Sequence, residues 1–179
     1  MKRYLTSILF FSSVCIVIAQ SKVSFGGEVG IPQEAGTDGI STGFGGSLRF
    51  EGRINKNFNW LISAGYIYFP LNLGSGVSVT GSSYSLTGHE SLIPVATGIK
   101  YYLNQGFQGF YFGTELGLTL SQASAAVSGV TSQGGFSSNN AKFAFSPGMG
   151  YHFKRLDFTF RYNVLSYSNY FGARAAVVL

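Results

Sequence analysis

The chain has 179 residues, enough for one domain, and 11% of them are charged, against roughly 25% in ordinary soluble domains. Aromatic residues make up 16% and glycines number 25, which argues against a soluble globule, because such a surface needs charge. The formal net charge of +5 falls to +3 without Lys2 and Arg3, and no run of Lys or Arg indicates a nucleic-acid partner.

The N-terminal segment has the pattern of a secretory signal peptide. A positively charged start is followed by an apolar stretch over 5–18, and Ala19 precedes the expected cleavage site. A retained membrane helix is the alternative, but the stretch is shorter than the roughly 20 residues that a spanning helix needs. We predict a signal peptide over 1–19 and a mature domain over 20–179. Cys15 is the only cysteine and lies in the predicted signal, so the mature domain has no disulfide framework.

Beyond residue 20 the dominant pattern is an alternation of apolar and polar residues with a period of two, which is typical of β-strands. Most alternating segments have at least the roughly 9–11 residues that a tilted strand needs to cross a bilayer. The predicted strands are 22–31, 43–55, 58–68, 91–103, 109–121, 141–153, 156–165 and 170–179. The fold class is therefore all-β, with eight antiparallel strands in an up-and-down transmembrane β-barrel.

The connections between these strands differ in length by parity. Outer-membrane barrels alternate short periplasmic turns with longer external loops. The odd-numbered connections are 32–42, 69–90, 122–140 and 166–169, and the even-numbered ones are 56–57, 104–108 and 154–155. Since three of the four odd connections are long and all the even ones are short, we predict a bacterial outer-membrane location with both termini periplasmic. The Ser/Gly-rich segments 74–88 and 122–140 are expected to form mobile external loops, with a contact surface for a partner or glycan as the alternative.

Each predicted strand has one apolar and one polar face, as Phe44, Leu48 and Phe50 against Arg49 and Glu51 illustrate. We place the apolar face outward because the polar face has too few charges to meet water. Aromatic residues also gather near the strand ends, as expected for girdles at two membrane interfaces. They are Phe58, Trp60, Tyr101, Phe110, Tyr151 and Phe153 toward the periplasm, and Tyr66, Tyr68, Tyr170 and Phe171 toward the outside.

The inward face then contains mostly small residues together with a few charges. An eight-stranded barrel is only wide enough to be filled by side chains, and buried charges are costly unless paired. We predict a lumen plugged by paired charges rather than an ion or substrate path. The structural lumen charges are Glu28, Arg49, Glu51, Lys100, Glu115, Arg161 and Arg174, and Arg53 and Asp157 also face inward. Arg174 is expected beside Glu28, because strand eight closes onto strand one.

Several segments resemble the outer-membrane protein β-barrel domain family, which includes the small barrels of outer-membrane proteins A and X. They are Val23-Ser24-Phe25-Gly26-Gly27-Glu28-Val29-Gly30, Leu92-Ile93-Pro94-Val95, Gly98-Ile99-Lys100-Tyr101-Tyr102 and Gly113-Thr114-Glu115-Leu116-Gly117. The resemblance covers almost all of the mature chain. It implies an eight-stranded barrel, contact with outer-membrane lipid and lipopolysaccharide, and insertion by the barrel assembly machinery. Barrels of this family usually end in an aromatic residue, whereas this sequence ends in Leu179.

No catalytic, cofactor or metal site is predicted, and the protein is not expected to be an enzyme. Three reactive residue types meet at His89-Glu90-Ser91, but neighbouring strand residues face opposite ways. The remaining histidine, His152, is far away in sequence, so a zinc site is not expected. The sequence favours a structural or interaction barrel, with an external ligand or protein contacting 69–90 and 122–140. The alternatives are a secreted lipocalin-like ligand-binding barrel and a lipid-modifying outer-membrane enzyme.

Overall fold

The structure, a computed structural model, describes residues 21–33, 40–79, 82–105, 107–128, 135–166 and 169–179. The predicted signal peptide over 1–19 lies outside these ranges. The strands are β1 (Ser21–Pro32), β2 (Gly43–Arg53), β3 (Phe58–Val79), β4 (Ser82–Tyr102), β5 (Gly109–Ser128), β6 (Gly135–Phe153), β7 (Leu156–Leu165) and β8 (Asn169–Val178). Within the described residues, no helix is long and apolar enough to cross a membrane.

The eight strands form one closed barrel in sequence order, each antiparallel to its neighbours. β8 pairs with β1 to close the sheet, and the register sets Glu28 opposite Arg174. Closure leaves the barrel without a free edge over its height, because every strand pairs with a neighbour on both sides. The predicted all-β fold class and the strand count are confirmed.

The predicted loops 69–90 and 122–140 are wrong in most of their length. β3 continues to Val79 and β4 begins at Ser82, while β5 continues to Ser128 and β6 begins at Gly135. The backbones of these hairpins pair with each other, for example at Ser85↔Ser128. These strand extensions were not predicted, because their sequences are rich in Ser and Gly and have no period-two pattern. Backbone pairing between strands does not depend on such a pattern. We call the end of the barrel that is formed by these two hairpins, 69–90 and 122–140, the long-hairpin end.

The opposite end, with its three short connections, we call the short-turn end. The side chain of Asn55 accepts hydrogen bonds from the backbone N–H groups of Asn57 and Phe58, both at 2.9 Å, which closes the β2–β3 turn. Lys154 adopts a positive φ of 55° between β6 and β7. The β4–β5 connection contains Phe107, also at a positive φ of 58°, a conformation that is uncommon for a bulky residue.

The wall of the barrel has its apolar residues outside and its polar residues inside. Phe110 and Phe160 are each 63% exposed on the outer surface, whereas Arg49 and Lys100 are each 1% exposed in the lumen. One aromatic prediction is wrong: Tyr170 is buried in the lumen against Phe69, with ring centroids 5.7 Å apart. Its neighbour in the chain faces outward, because adjacent strand residues point to opposite faces.

Candidate functional site

The lumen contains a layer of charged side chains at the middle of the barrel, formed by residues from β1, β2, β5, β7 and β8. We call it the mid-height cluster, and its members are Glu28, Arg49, Glu115, Arg161 and Arg174. All five were predicted to be lumen charges. All are buried except Arg161, which is partly buried.

Glu115 is the shared acceptor of the mid-height cluster. Its Oε1 accepts a hydrogen bond from Arg49 Nη2 at 2.6 Å and lies 3.3 Å from Arg161 Nη1. Its other oxygen accepts from the Ser63 hydroxyl at 2.7 Å. Arg161 in turn donates to both oxygens of Glu28, at 2.6 and 2.7 Å. Charge-assisted and forked contacts of this kind fix the side chains in orientation as well as in position.

Arg174 lies beside Glu28, but its main partners are neutral. Its Nε is 3.8 Å from Glu28 Oε1 and donates to the Ser47 hydroxyl at 2.8 Å. Its Nη2 donates to the Ser24 hydroxyl at 3.0 Å. Sequence reasoning placed Arg174 next to Glu28 from strand order alone. The serines were not singled out, because the register that brings them into reach depends on the stagger of the closed sheet.

A second charged group, which we call the lower cluster, lies between the mid-height cluster and the short-turn end. Lys100 Nζ donates to Glu51 Oε1 at 2.5 Å and to Asp157 Oδ2 at 2.7 Å. The same ammonium group is 4.3 Å from the centroid of the Tyr111 ring. The Tyr111 hydroxyl donates to Asp157 Oδ1 at 2.5 Å. Each charge of the lower cluster therefore has an opposite charge within hydrogen-bond reach.

The two clusters are linked through Thr159. Its Oγ1 lies 3.4 Å from Arg49 Nη1 and 2.7 Å from the Tyr111 hydroxyl. Together the clusters contain four basic and four acidic side chains, so their formal charges cancel. Two cavities of about 20 and 10 Å³ border them, each only large enough for a water molecule or two. The described part of the lumen is filled at this height.

An aromatic layer closes the lumen at the short-turn end. Phe107 folds back from the β4–β5 connection until it is 8% exposed, and its ring meets the edge of Tyr102 at 5.4 Å between centroids. Tyr102 packs in turn against Tyr111 at 5.1 Å. The Arg53 guanidinium covers the outer side of the Phe107 ring at 4.5 Å. We call Phe107, Tyr102 and Tyr111 the aromatic stopper. Sequence reasoning missed it, since Phe107 lies in a connection expected to be a polar turn.

An apolar group also covers the clusters on the long-hairpin side. Phe69 and Tyr170 stack edge to face there, and Leu92 and Leu165 pack with them. A Cβ at Gly43 would lie 2.6 Å from the Phe69 ring, so only glycine leaves room for this side chain. The charged clusters are thus enclosed between two layers that exclude water. Exclusion of water strengthens the attraction of each pair and raises the penalty of leaving any charge unpaired.

The residues considered for chemistry do not converge. The His89 ring stacks on Tyr68, with centroids 5.1 Å apart, while Glu90 accepts a hydrogen bond from Ser121 at 2.6 Å. Ser91 shares a 2.9 Å hydrogen bond with the Tyr66 hydroxyl. In the part of the chain that the structure describes, no three His, Cys, Asp or Glu side chains are grouped so that they could hold a metal ion.

A closed eight-stranded barrel with a charged, filled lumen and an apolar outer wall is the architecture of the small outer-membrane barrels. Neither a family model nor a curated protein sequence matches the chain. Among solved structures, it is similar to Ail, the attachment invasion locus protein of Yersinia pestis, in complex with the heparin analogue sucrose octasulfate. That match has 15% identity and a TM-score of 0.59, and it covers 89% of this chain and 97% of Ail.

A second structure of Ail matches with the same identity and coverage and a TM-score of 0.58. Neisserial surface protein A matches at 16% identity over 89% of this chain and 95% of its own, but with a TM-score of only 0.43. The Ail matches show that the chain has the fold of a small outer-membrane barrel, in agreement with the resemblance found in the sequence.

Proposed function

We propose that this protein is an integral barrel of a bacterial outer membrane with a structural or interaction role and no enzymatic activity. The observation that supports this best is the inverted wall. Large apolar side chains such as Phe44, Phe112 and Phe160 are more than half exposed around the barrel, while Arg49 and Asp157 are each 1% exposed inside it. Soluble proteins rarely expose more than a few hundred Å² of contiguous apolar surface. A hydrocarbon environment removes the penalty that water would impose on such a wall.

The same observation disfavours the lipocalin-like alternative. A soluble barrel that binds a hydrophobic ligand has its apolar face inside, whereas the inner face of this barrel contains the mid-height and lower clusters. The lipid-modifying enzyme is also disfavoured, because the three residues have separate partners: His89 stacks on Tyr68, while Glu90 and Ser91 are hydrogen-bonded to different residues. In this proposal the outer wall contacts lipid and lipopolysaccharide, and the barrel assembly machinery inserts the chain.

The two charged clusters act as a plug in this proposal. Their closest ion pairs measure 2.5 to 2.7 Å, Arg174 lies 3.8 Å from Glu28, and the cavities beside the clusters are of water size. An ion that crossed the lumen would have to displace paired side chains from an environment with little water, which costs several kcal/mol for each ion pair broken. In this proposal the barrel therefore spans the membrane without conducting ions.

The long-hairpin end faces outside and the termini face the periplasm, since short turns are periplasmic in such barrels. The hairpins of 69–90 and 122–140 then meet an external ligand or protein. The heparin analogue bound by Ail is polyanionic, but these two segments contain no Lys or Arg. We therefore propose a neutral polar partner for them, bound by backbone and hydroxyl groups rather than by charge.

Membrane residence is tested by fractionating cells that express the chain and comparing boiled with unboiled samples on detergent gels. The proposal expects the mature protein in the outer-membrane fraction. Its unboiled form should migrate differently from the boiled form, because a folded barrel resists the detergent. A mature protein that remains soluble without detergent would show that the proposal is wrong.

The plug is tested separately in planar bilayers. The wild-type barrel is expected to give no large, steady conductance. Glu28→Ala removes the forked partner of Arg161 and should lower stability without opening a pore, because the lumen stays narrow. A steady large pore in the wild type would contradict the plug and leave membrane residence untouched.

A further inference from the structure

The basic residues outside the lumen are gathered at one end of the barrel. Ten basic and seven acidic residues follow residue 20, and the two lumen clusters use four of each. Five of the six remaining basic residues lie at the short-turn end, where β1 begins and where β2–β3 and β6–β7 turn. We call them the basic collar: Lys22, Arg53, Lys56, Lys154 and Arg155.

The basic collar has no acidic counterpart on the surface. All its members are exposed except Lys22, which is half-buried. The two acidic residues nearest in the fold, Glu51 and Asp157, are buried and bonded to Lys100. Among the described residues at this end, no exposed Asp or Glu side chain offsets the collar. The surface there has a formal charge of +5, which is more than the whole net charge of the chain beyond residue 20.

The collar lies next to the aromatic girdle. On the outer wall Phe58 packs on Tyr101 at 4.9 Å and Phe110 packs on Tyr151 at 4.8 Å. The Lys154 ammonium is 5.3 Å from the centroid of the neighbouring Phe153 ring. Aromatic side chains at the end of an apolar wall mark the level of the lipid headgroups. Lys56, Lys154 and Arg155 lie in turns just beyond that level and are therefore at the height of lipid phosphates. Arg53 covers the Phe107 ring at the mouth of the lumen and adds to the positive charge of this end.

We propose that the basic collar binds anionic phospholipid headgroups of the membrane leaflet at the short-turn end. This inference rests on the proposed residence in a membrane. Its support is the combination of clustered cations, the absence of exposed acids among the described residues there, and the aromatic level beneath them. Each Lys or Arg near an anionic surface favours binding by about 1 kcal/mol, or about fivefold, and the effect disappears as salt shortens the Debye length.

The collar follows six consecutive strands of the barrel, from β6 through β8 and β1 to β3, rather than forming one compact patch. The remaining side, at the β4–β5 connection, has Asn104 and Gln105 and the inserted Phe107 instead. An arc around the perimeter matches a ring of lipid headgroups. A folded protein partner would contact one side of the barrel, and it is the competing outcome.

Trp60 provides a local probe, because it is the only tryptophan and lies on the outer wall at this end, four residues from Lys56. We would reconstitute the full mature barrel in vesicles that contain brominated phosphatidylglycerol or brominated phosphatidylcholine, and compare the quenching of Trp60. The expected result is a relative affinity about fivefold or more in favour of phosphatidylglycerol at low salt. The preference should disappear in 1 M NaCl.

The test variant combines Lys56→Gln, Lys154→Gln and Arg155→Gln, all in exposed turns. It should bring the relative affinity of the two lipids close to one while the barrel still folds. As a matched pair of single substitutions, Lys56→Gln should lower the preference, whereas Lys142→Gln, at the other end of the barrel, should leave it unchanged. Heat-modifiable migration checks the folding of each variant.

Two failures are distinguishable. Equal quenching by both lipids in the wild type, or a preference that survives the triple substitution, would overturn the collar proposal while the quenching itself still shows Trp60 in a bilayer. A protein partner at this end would give that same absence of lipid preference. If neither brominated lipid quenches Trp60, the proposed membrane residence is wrong, and the collar proposal with it.

Discussion

The lumen and the outer wall of this barrel are built from the same strands, yet they have opposite chemistry. Along β5, Glu115 is 6% exposed and bonded to two arginines, while the next residue, Leu116, is 47% exposed and faces outward. The two positions are adjacent in sequence and differ only in the face of the sheet. The free-energy cost of the lumen charge depends on whether its ion-pair partners are present. The cost of the exposed apolar residue depends on whether lipid or water surrounds it.

This difference between lumen and wall shows which interactions stabilise such a fold. In a soluble domain the buried apolar core supplies most of the favourable free energy. Here the apolar wall contributes only when lipid surrounds it, and the interior depends on ion pairs and hydrogen bonds between two apolar layers. Urea unfolding of the barrel in vesicles of neutral lipid measures the contribution of each of these two surfaces.

The largest effect is expected from Glu115→Ala. The substitution leaves Arg49 and Arg161 without their shared carboxylate in a buried site, which should lower the free energy of unfolding by about 3–5 kcal/mol. Glu90→Ala is the control, because its ion pair with Lys142 is longer, at 3.5 Å, and nearer to solvent, so a loss of about 1 kcal/mol or less is expected. Similar losses for both variants would contradict a plug that depends on pairing.

The aromatic stopper is tested by Phe107→Ala. Removing the ring takes away its packing on Tyr102 and the surface that Arg53 covers, and should cost about 3 kcal/mol. Phe153→Ala is the matched control, since Phe153 is 50% exposed on the outer wall, so its truncation loses apolar contact with lipid but leaves no cavity in the lumen and should cost less. A barrel that tolerates Phe107→Ala as well as Phe153→Ala would show that the stopper is not needed to close the lumen.

The outer wall is tested by Leu116→Lys, which should destabilise the inserted barrel by about 2 kcal/mol because a charge on the lipid-facing side of a strand is costly near the bilayer centre. Leu116→Phe should be nearly neutral, since both side chains suit hydrocarbon. An unchanged midpoint for Leu116→Lys would place this position in water and weaken the contrast with Glu115.

The smallest effect is expected from Tyr111→Phe. It removes the hydroxyl that bonds to Asp157 and Thr159 but keeps the ring against Lys100, so a loss of about 1.5 kcal/mol is expected. The double variant with Thr159→Val measures the coupling between these groups. If the two losses add without coupling, the hydrogen bond between Tyr111 and Thr159 contributes no interaction energy to the link between the clusters.

Much of this architecture could be predicted from the sequence, because alternation is a local signal. The strand β7 was predicted with its observed bounds, 156–165, and the closure of β8 onto β1 placed Arg174 beside Glu28. The individual ion pairs could not be predicted from the sequence. Arg49 bonds to Glu115, 66 residues away in the sequence, and only the stagger of the closed barrel decides that contact.

Three features were missed for different reasons. Phe107 lies in a short connection, where an aromatic residue looks exposed. Tyr170 was assigned to the outer girdle together with its neighbour, although the alternation of faces allows only one of the two to point outward. The Ser/Gly-rich hairpin strands lack a period-two pattern in the sequence, so alternation could not reveal them.

Nitroxide accessibility reports whether the apolar outer wall of the barrel faces hydrocarbon or water. In a Cys15→Ser background, single cysteines at Leu48, Leu116 and Phe160 on the wall and at Asn139 on a projecting hairpin would be spin-labelled after insertion into vesicles. The account predicts that the three wall labels collide more often with oxygen, which concentrates in lipid, than with a water-soluble nickel chelate, and that the Asn139 label shows the reverse. Wall labels that collide with the nickel chelate as often as the Asn139 label does would contradict it.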